Sequence, residues 1–120
     1  MTDRLVVKCT SGGEAAERCN QAFTVAATAL SSGVAVSLWL TGEAAWLGVP
    51  GRAALVALPL AVPLEDLLAS VLDAGTVTVC SQCAARRSMG EDDVLPGVRI
   101  AGSALFVEEI LTPGTQALVY

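Results

Sequence analysis

The 120-residue sequence contains no histidine. That absence removes every Ser-His-Asp arrangement and leaves any zinc site to thiolates and carboxylates. Aromatic residues make up only 4% of the chain, and 7 basic residues stand against 12 acidic ones for a net charge of −5. With no basic stripe and no aromatic-rich surface motif, the composition argues against nucleic-acid binding. A membrane-spanning run is missing too. The uncharged stretch Cys19 to Gly42 is broken by Asn20, Gln21, Ser31, Ser32 and Gly33, and "AALVALPLAVPL" carries two prolines and is too short to cross a bilayer. The opening "MTDRLVVK" lacks the layout of a signal peptide.

What is present is apolar: 53% of the residues are hydrophobic. In a chain of one-domain length this predicts a buried sheet, with surplus apolar surface hidden in subunit contacts. The expectation is therefore a single domain over residues 1–120, cytoplasmic and without a membrane anchor.

Strand-like and helix-like segments alternate. "RLVVKC" (4–9) reads as a strand ending at the turn "TSGG", and Ala15, Cys19, Ala22, Phe23 and Ala26 recur at helical spacing over 14–31. Gly33 is the expected left-handed cap. "VAVSLWL" (34–40) has the unbroken apolar character of a central parallel strand. A less regular segment with Trp46 follows, Trp39 and Trp46 reading as core and interface residues, and the character of 52–62 stays open. "PLEDLLASVLDAG" predicts a helix stopped at Gly75, and "TVTVC" a strand ending at Cys80. A helical turn or two over 82–88, the strand "VRIAG", the helix "SALFVEEIL" with Ser103 as N-cap and the strand "TQALVY" complete the order. Glu108 and Glu109 read as a solvated helix face. The pattern predicts an α/β domain, a three-layer αβα sandwich with a mostly parallel sheet of about five strands and helices on both faces.

The chemistry concentrates in "TVTVCSQCAARRSMG" (76–90). In open α/β sheets the functional crevice lies beyond the carboxyl ends of the strands, and Cys80 ends one. A thiol entering a helix N-terminus is biased toward thiolate. Arg86 and Arg87 share a helical face with Cys83 at three- and four-residue spacing and are expected to stabilise the anion, with the acidic "EDD" of 91–93 available to pair with them. Cys9, Thr10, Ser11 and Gly12 are expected to line the same crevice. No metal is expected: with no histidine, zinc would need Cys9 and Cys19, which lack the usual spaced motif. A thioredoxin-like reading fits poorly, because Ser81 and Gln82 replace the aromatic or proline companions and the motif comes late in the chain. Cys19, on an apolar helix face, reads as packing.

The stretches "VVKCTSGGEAAERCNQAFTVAATALSSGVAVSLWL" and "PLEDLLASVLDAGTVTVCSQCAARR", with their order of elements, resemble the DsrE/DsrF-like proteins, which include subunits of the TusBCD sulfur relay complex. The resemblance spans nearly the whole chain. It implies a DsrE/F-like fold, a homo-oligomer (trimer or hexamer), sulfur donor and acceptor proteins as partners, and transfer of sulfane sulfur through a persulfide on Cys80, the position matching the family's sulfur-carrying cysteine. Cys83, present in only some relatives, would be a resolving thiol, and a thiol-redox activity by ordinary thiol–disulfide exchange would use Cys80 and Cys83 as the two partners. This chemistry needs no organic cofactor. The alternative reading is a non-catalytic oligomeric module that holds a small anion or a partner protein, its cysteines inert.

Overall fold

The computed structural model describes residues 2–120. Five strands form one sheet: β1 (Arg4–Cys9), β2 (Ala35–Leu40), β3 (Thr76–Cys80), β4 (Val98–Ala101) and β5 (Thr115–Val119). Their order is β4-β3-β2-β1-β5, and every neighbouring pair is parallel. The helices are α1 (Ala16–Ser31), α2 (Leu64–Ala74), α3 (Ser81–Arg86) and α4 (Ser103–Ile110), with 3₁₀ turns at Gly13–Ala15, Gly42–Gly48, Ala53–Leu55 and Glu91–Asp93.

Strand order decides which face each helix covers. From β1 to β4 the chain steps one way across the sheet, so right-handed crossovers put α1 and α2 on the same face. The return from β4 to β5 runs the other way and lays α4 on the opposite face, where Phe106 packs edge-on against Trp39 at 5.3 Å between ring centroids. The domain is thus a three-layer αβα sandwich.

Side chains alternate along each strand, so the paired registers sort the two faces. Leu5, Val7 and Cys9 of β1 align with Val36, Leu38 and Leu40 of β2, and these last two with Val77 and Val79 of β3. All are buried beneath α1 and α2, together with Phe23, Leu64, Leu68 and Val71. The other face is polar: Lys8 lies opposite Trp39, Trp39 opposite Thr78, and Thr78 opposite Arg99. One short helix, α4, covers this side.

Several local expectations change. Glu109 does not lie on a solvated face. It is only 4% exposed, because α4 turns it onto Ser37 and Trp39 of the polar sheet face. Ser103 is the first helical residue rather than the cap; Gly102 caps α4 without a side-chain bond. Gly33 does take the left-handed conformation, with φ 86°. Gly75 ends α2 in an extended conformation, where a side chain would meet the Val36 carbonyl oxygen at 2.9 Å. Segment 52–62 holds the turn Ala53–Leu55 and then exposed chain, with Leu60 at φ 60°. Trp39 is buried in the core, whereas Trp46 is half-buried under the Arg52 guanidinium at 4.3 Å.

Candidate functional site

Cys80 is the last residue of β3, and α3 starts at the next position, so the cysteine occupies the cap of that helix. Its sulfur faces the α4 side of the sheet, the same side as Thr78, and is half-buried. Burial raises the Cys80 pKa, but hydrogen bonds from the N–H groups of Cys83 and Gln82 and from the Cys83 thiol lower it, as does the nearby Lys8 charge. The net result is a pKa below the ordinary thiol value. A sulfur held by backbone donors beside a cation is set up to react as thiolate.

Cys83 is buried in the third position of α3. Its sulfur accepts a hydrogen bond from the Gly42 N–H at 3.2 Å, and both it and Cys80 are free thiols. Gly42 sits at φ 55° with the Thr10 carbonyl oxygen 2.8 Å from where a Cβ would be. Only glycine brings that N–H to Cys83 without a clash.

The arginines are placed otherwise than their spacing indicated. Arg87 pairs with Glu43 at 2.9 Å and donates through Nη1 to the Cys83 carbonyl oxygen at 3.1 Å, bracing α3 against the Gly42–Gly48 turn rather than meeting a sulfur or the 91–93 carboxylates. Asp93 is engaged locally, accepting from the Gly90 N–H at 2.8 Å. Arg86 is exposed. The cation facing Cys80 is Lys8, which the sequence reading did not single out.

The residues at the end of β1 divide in the same way. Cys9 points into the α1 layer, where it is fully buried beside Cys19 and donates to the Ser11 carbonyl oxygen at 3.2 Å. The hydrogen bond shared with Cys19 is the main reason its pKa lies below the ordinary value, while the Cys19 pKa is pushed up by the same bond and by burial. Thr10 is exposed and bonded to the Tyr120 carbonyl oxygen at 2.7 Å. Ser11 is buried, and the Gly12 N–H is taken by the Glu14 carboxylate at 2.6 Å. None of these four residues lines the pocket at Cys80.

That pocket measures about 30 Å³ and is walled by Lys8, Trp39, Thr41, Cys80, Ser103 and Phe106. The Lys8 ammonium lies 5.1 Å from the centre of the Phe106 ring, a cation–π contact that directs it across the pocket. Behind the aromatic wall, Trp39 Nε1 donates to Glu109 at 3.0 Å and Ser37 donates at 2.6 Å; Arg99 and Arg4 complete the shell of that carboxylate. A larger concavity of about 670 Å³ between α1 and the 58–62 segment contains no cysteine and one side-chain carboxylate, Glu17. Among the described residues no three His, Cys, Asp or Glu side chains are grouped to hold a metal ion. No helix there is long and apolar enough to cross a membrane.

A parallel αβα sandwich with a thiolate-prone cysteine where a strand ends beside the central one defines a thiol-bearing α/β protein. Its relatives narrow this. The pattern of the DsrE/DsrF-like family matches residues 3–118, and the chain belongs to that family. The fold is similar to that of the ychN protein from E. coli, with a TM-score of 0.79 at 16% identity over 100% of both chains. It is also similar to a protein of unknown function from Methanobacterium thermoautotrophicum, with a TM-score of 0.69 and 12% identity over 98% of both. A conserved protein of unknown function from Bacteroides thetaiotaomicron aligns at TM-score 0.61 and 15% identity, covering 98% of this chain and 95% of that one. No curated protein matches the sequence significantly.

Proposed function

We propose that the protein is a sulfur carrier of a relay, in which the Cys80 thiolate takes sulfane sulfur from a donor and holds it as a persulfide. The observation that carries this reading is the Cys80 sulfur itself: half-buried, bonded to two backbone N–H groups and facing a lysine at a strand end. Family membership supports the same chemistry. Cys83, in the first turn of the helix that Cys80 caps, acts as the resolving thiol. Its thiolate attacks the Cys80 sulfur, the bond between the two cysteines forms as the outer S–S bond breaks, and the outer sulfur leaves as hydrosulfide. Arg87 holds α3 in place, and exposed Arg86 meets an acidic surface on the donor or acceptor protein. The working form is a cytoplasmic homo-oligomer, trimer or hexamer.

The test is intact mass after incubating the reduced protein with inorganic polysulfide, for wild type, Cys80→Ser and Cys83→Ser. The expected adduct is about 32 Da, reversed by reductant, absent from Cys80→Ser and longer-lived in Cys83→Ser. No adduct on wild type, or the same adduct on both variants, would leave Cys80 without the carrier role and favour a module that only binds an anion or a partner protein.

A further inference from the structure

The polar face of the sheet carries three cations, and two of them are satisfied. Arg4 and Arg99 both reach the Glu109 carboxylate. Lys8, the third, is half-buried near the carboxyl end of β1 between Trp39 and Val119, and among the described residues it makes no salt bridge. Withdrawing an ammonium group from water without a counter-charge is costly. The Phe106 ring offsets part of that cost, and what remains open to Lys8 is the pocket it shares with Cys80.

The size of the pocket limits what can enter. At about 30 Å³ it has room for roughly one or two water-sized atoms. An oxyanion such as sulfate, with four oxygens seeking several donors, finds one ammonium and the hydroxyls of Thr41 and Ser103, and Thr41 already donates to the Cys9 carbonyl oxygen at 3.3 Å. The Trp39 and Phe106 walls suit a soft, weakly hydrated atom. We infer that this pocket is the seat of the outer sulfur of the Cys80 persulfide, held as an anion against the Lys8 ammonium, and that it admits one sulfane sulfur at a time while the donor's body stays outside.

The inference rests on the reading of Cys80 as a carrier and specifies its substrate. The Cys80 thiolate attacks the outer sulfur of a donor persulfide or hydropolysulfide. The new S–S bond forms, the donor's S–S bond breaks, and its electron pair leaves on the donor as a thiolate, or as a polysulfide one sulfur shorter. The proton on the transferred sulfur passes to solvent, leaving the persulfide anion whose charge Lys8 balances. No external oxidant or reductant is consumed.

The experiment follows sulfur uptake by intact mass against time, with inorganic polysulfide as donor, for wild type, Lys8→Met and Ser103→Leu, each first shown by circular dichroism to be folded. Cys80 alkylation against pH is measured on the same samples. Of the charged groups on the surrounding elements, Arg99 of β4, Arg4 of β1 and Glu109 of α4 are tied together, Arg87 of α3 is paired with Glu43, and Arg86 and Glu108 are exposed outside the pocket, so Lys8 is the unpaired charge facing Cys80. The expected result is a single added sulfur on wild type, uptake slowed about tenfold or more in Lys8→Met, as when a donor aimed at a developing anion is removed, and alkylation of that variant displaced to higher pH. Ser103→Leu, which fills the pocket from the exposed first turn of α4, loses the adduct and slows alkylation at every pH, while the pH midpoint of alkylation stays at the wild-type value. Wild-type uptake with Lys8→Met equally fast, or two or more sulfurs accumulating on Cys80, overturns the pocket assignment alone. Absence of any adduct on wild type removes the carrier reading and the pocket with it.

Discussion

A carboxylate under a helix loses stability to burial unless donors meet both of its oxygens. Glu109 has them: Ser37 and Trp39 on one oxygen, Arg99 and Arg4 on the other. Burial raises its pKa, and the bonds from Ser37, Trp39 and Arg99 outweigh that, so the group is acidic beyond the usual carboxylate range. Replacing it leaves two guanidinium groups unpaired, though both are about a third exposed and rehydrate in part. Glu109→Ala is therefore expected to cost about 2–3 kcal/mol, somewhat below the roughly 3–5 kcal/mol for breaking a fully buried pair, read as a reduced denaturant midpoint. The pH dependence has a definite sign. Because the folded pKa lies below the unfolded one, this contribution is fully present above about pH 4.3 and is lost as pH falls through the folded value. Unfolding curves of wild type and Glu109→Gln should converge in acid; a gap that stays constant down to pH 2.5 would contradict the assignment. The sequence offered a signal that went unread. Ser37 and Trp39 alternate with Val36, Leu38 and Leu40, a period-2 pattern that gives the strand one face able to hydrogen-bond. Which carboxylate meets that face depends on a chain reversal some seventy residues later, and local spacing carries no trace of it.

At the level of elements, the strands and helices were legible because a parallel sheet buried on both faces leaves short apolar runs between amphipathic helices. The register between them was not legible, and register assembles the site. Lys8 precedes Cys9 by one position and so faces the opposite side of the sheet, which brings it to Cys80 and takes Cys9 away from it. Gly75 shows how closely the handover from α2 to β3 is packed. An alanine Cβ there would lie 2.9 Å from the Val36 carbonyl oxygen and 3.2 Å from that of Val71, both backbone atoms that have little room to move. Gly75→Ala should destabilise the domain by about 1–3 kcal/mol, as overpacking does. Since β3 ends at Cys80, a displaced β3 should also slow alkylation of that thiol under native conditions. Unchanged stability together with an unchanged alkylation rate would mean the junction is looser than its contacts indicate.

For the whole molecule, the distribution of apolar surface is the open physical question. Leu55 is 75% exposed and Leu60 108%, both ahead of α2, while Leu111 at 74% and Val119 at 65% lie along α4 and the edge strand β5. Large apolar side chains grouped at two places on a small domain, one of them beside an unpaired strand edge, are covered in most soluble proteins. The proposed trimer or hexamer would cover them, and sedimentation is the direct measure: a particle three or six times the 12.2 kDa chain is expected. Two variants locate the contact. Leu111→Lys introduces a charge at the α4 and β5 surface, and Leu60→Ser removes the most exposed side chain of the other group. Dissociation by the first alone assigns the interface to the end of α4 and the start of β5, at the opposite end of the sheet from the Lys8 pocket, which then stays open to a sulfur donor. Dissociation by the second alone assigns it to the 52–62 segment and leaves the pocket facing solvent. A wild-type protein that sediments as a monomer at high micromolar concentration would remove the oligomer from the proposal and leave both surfaces for partner proteins.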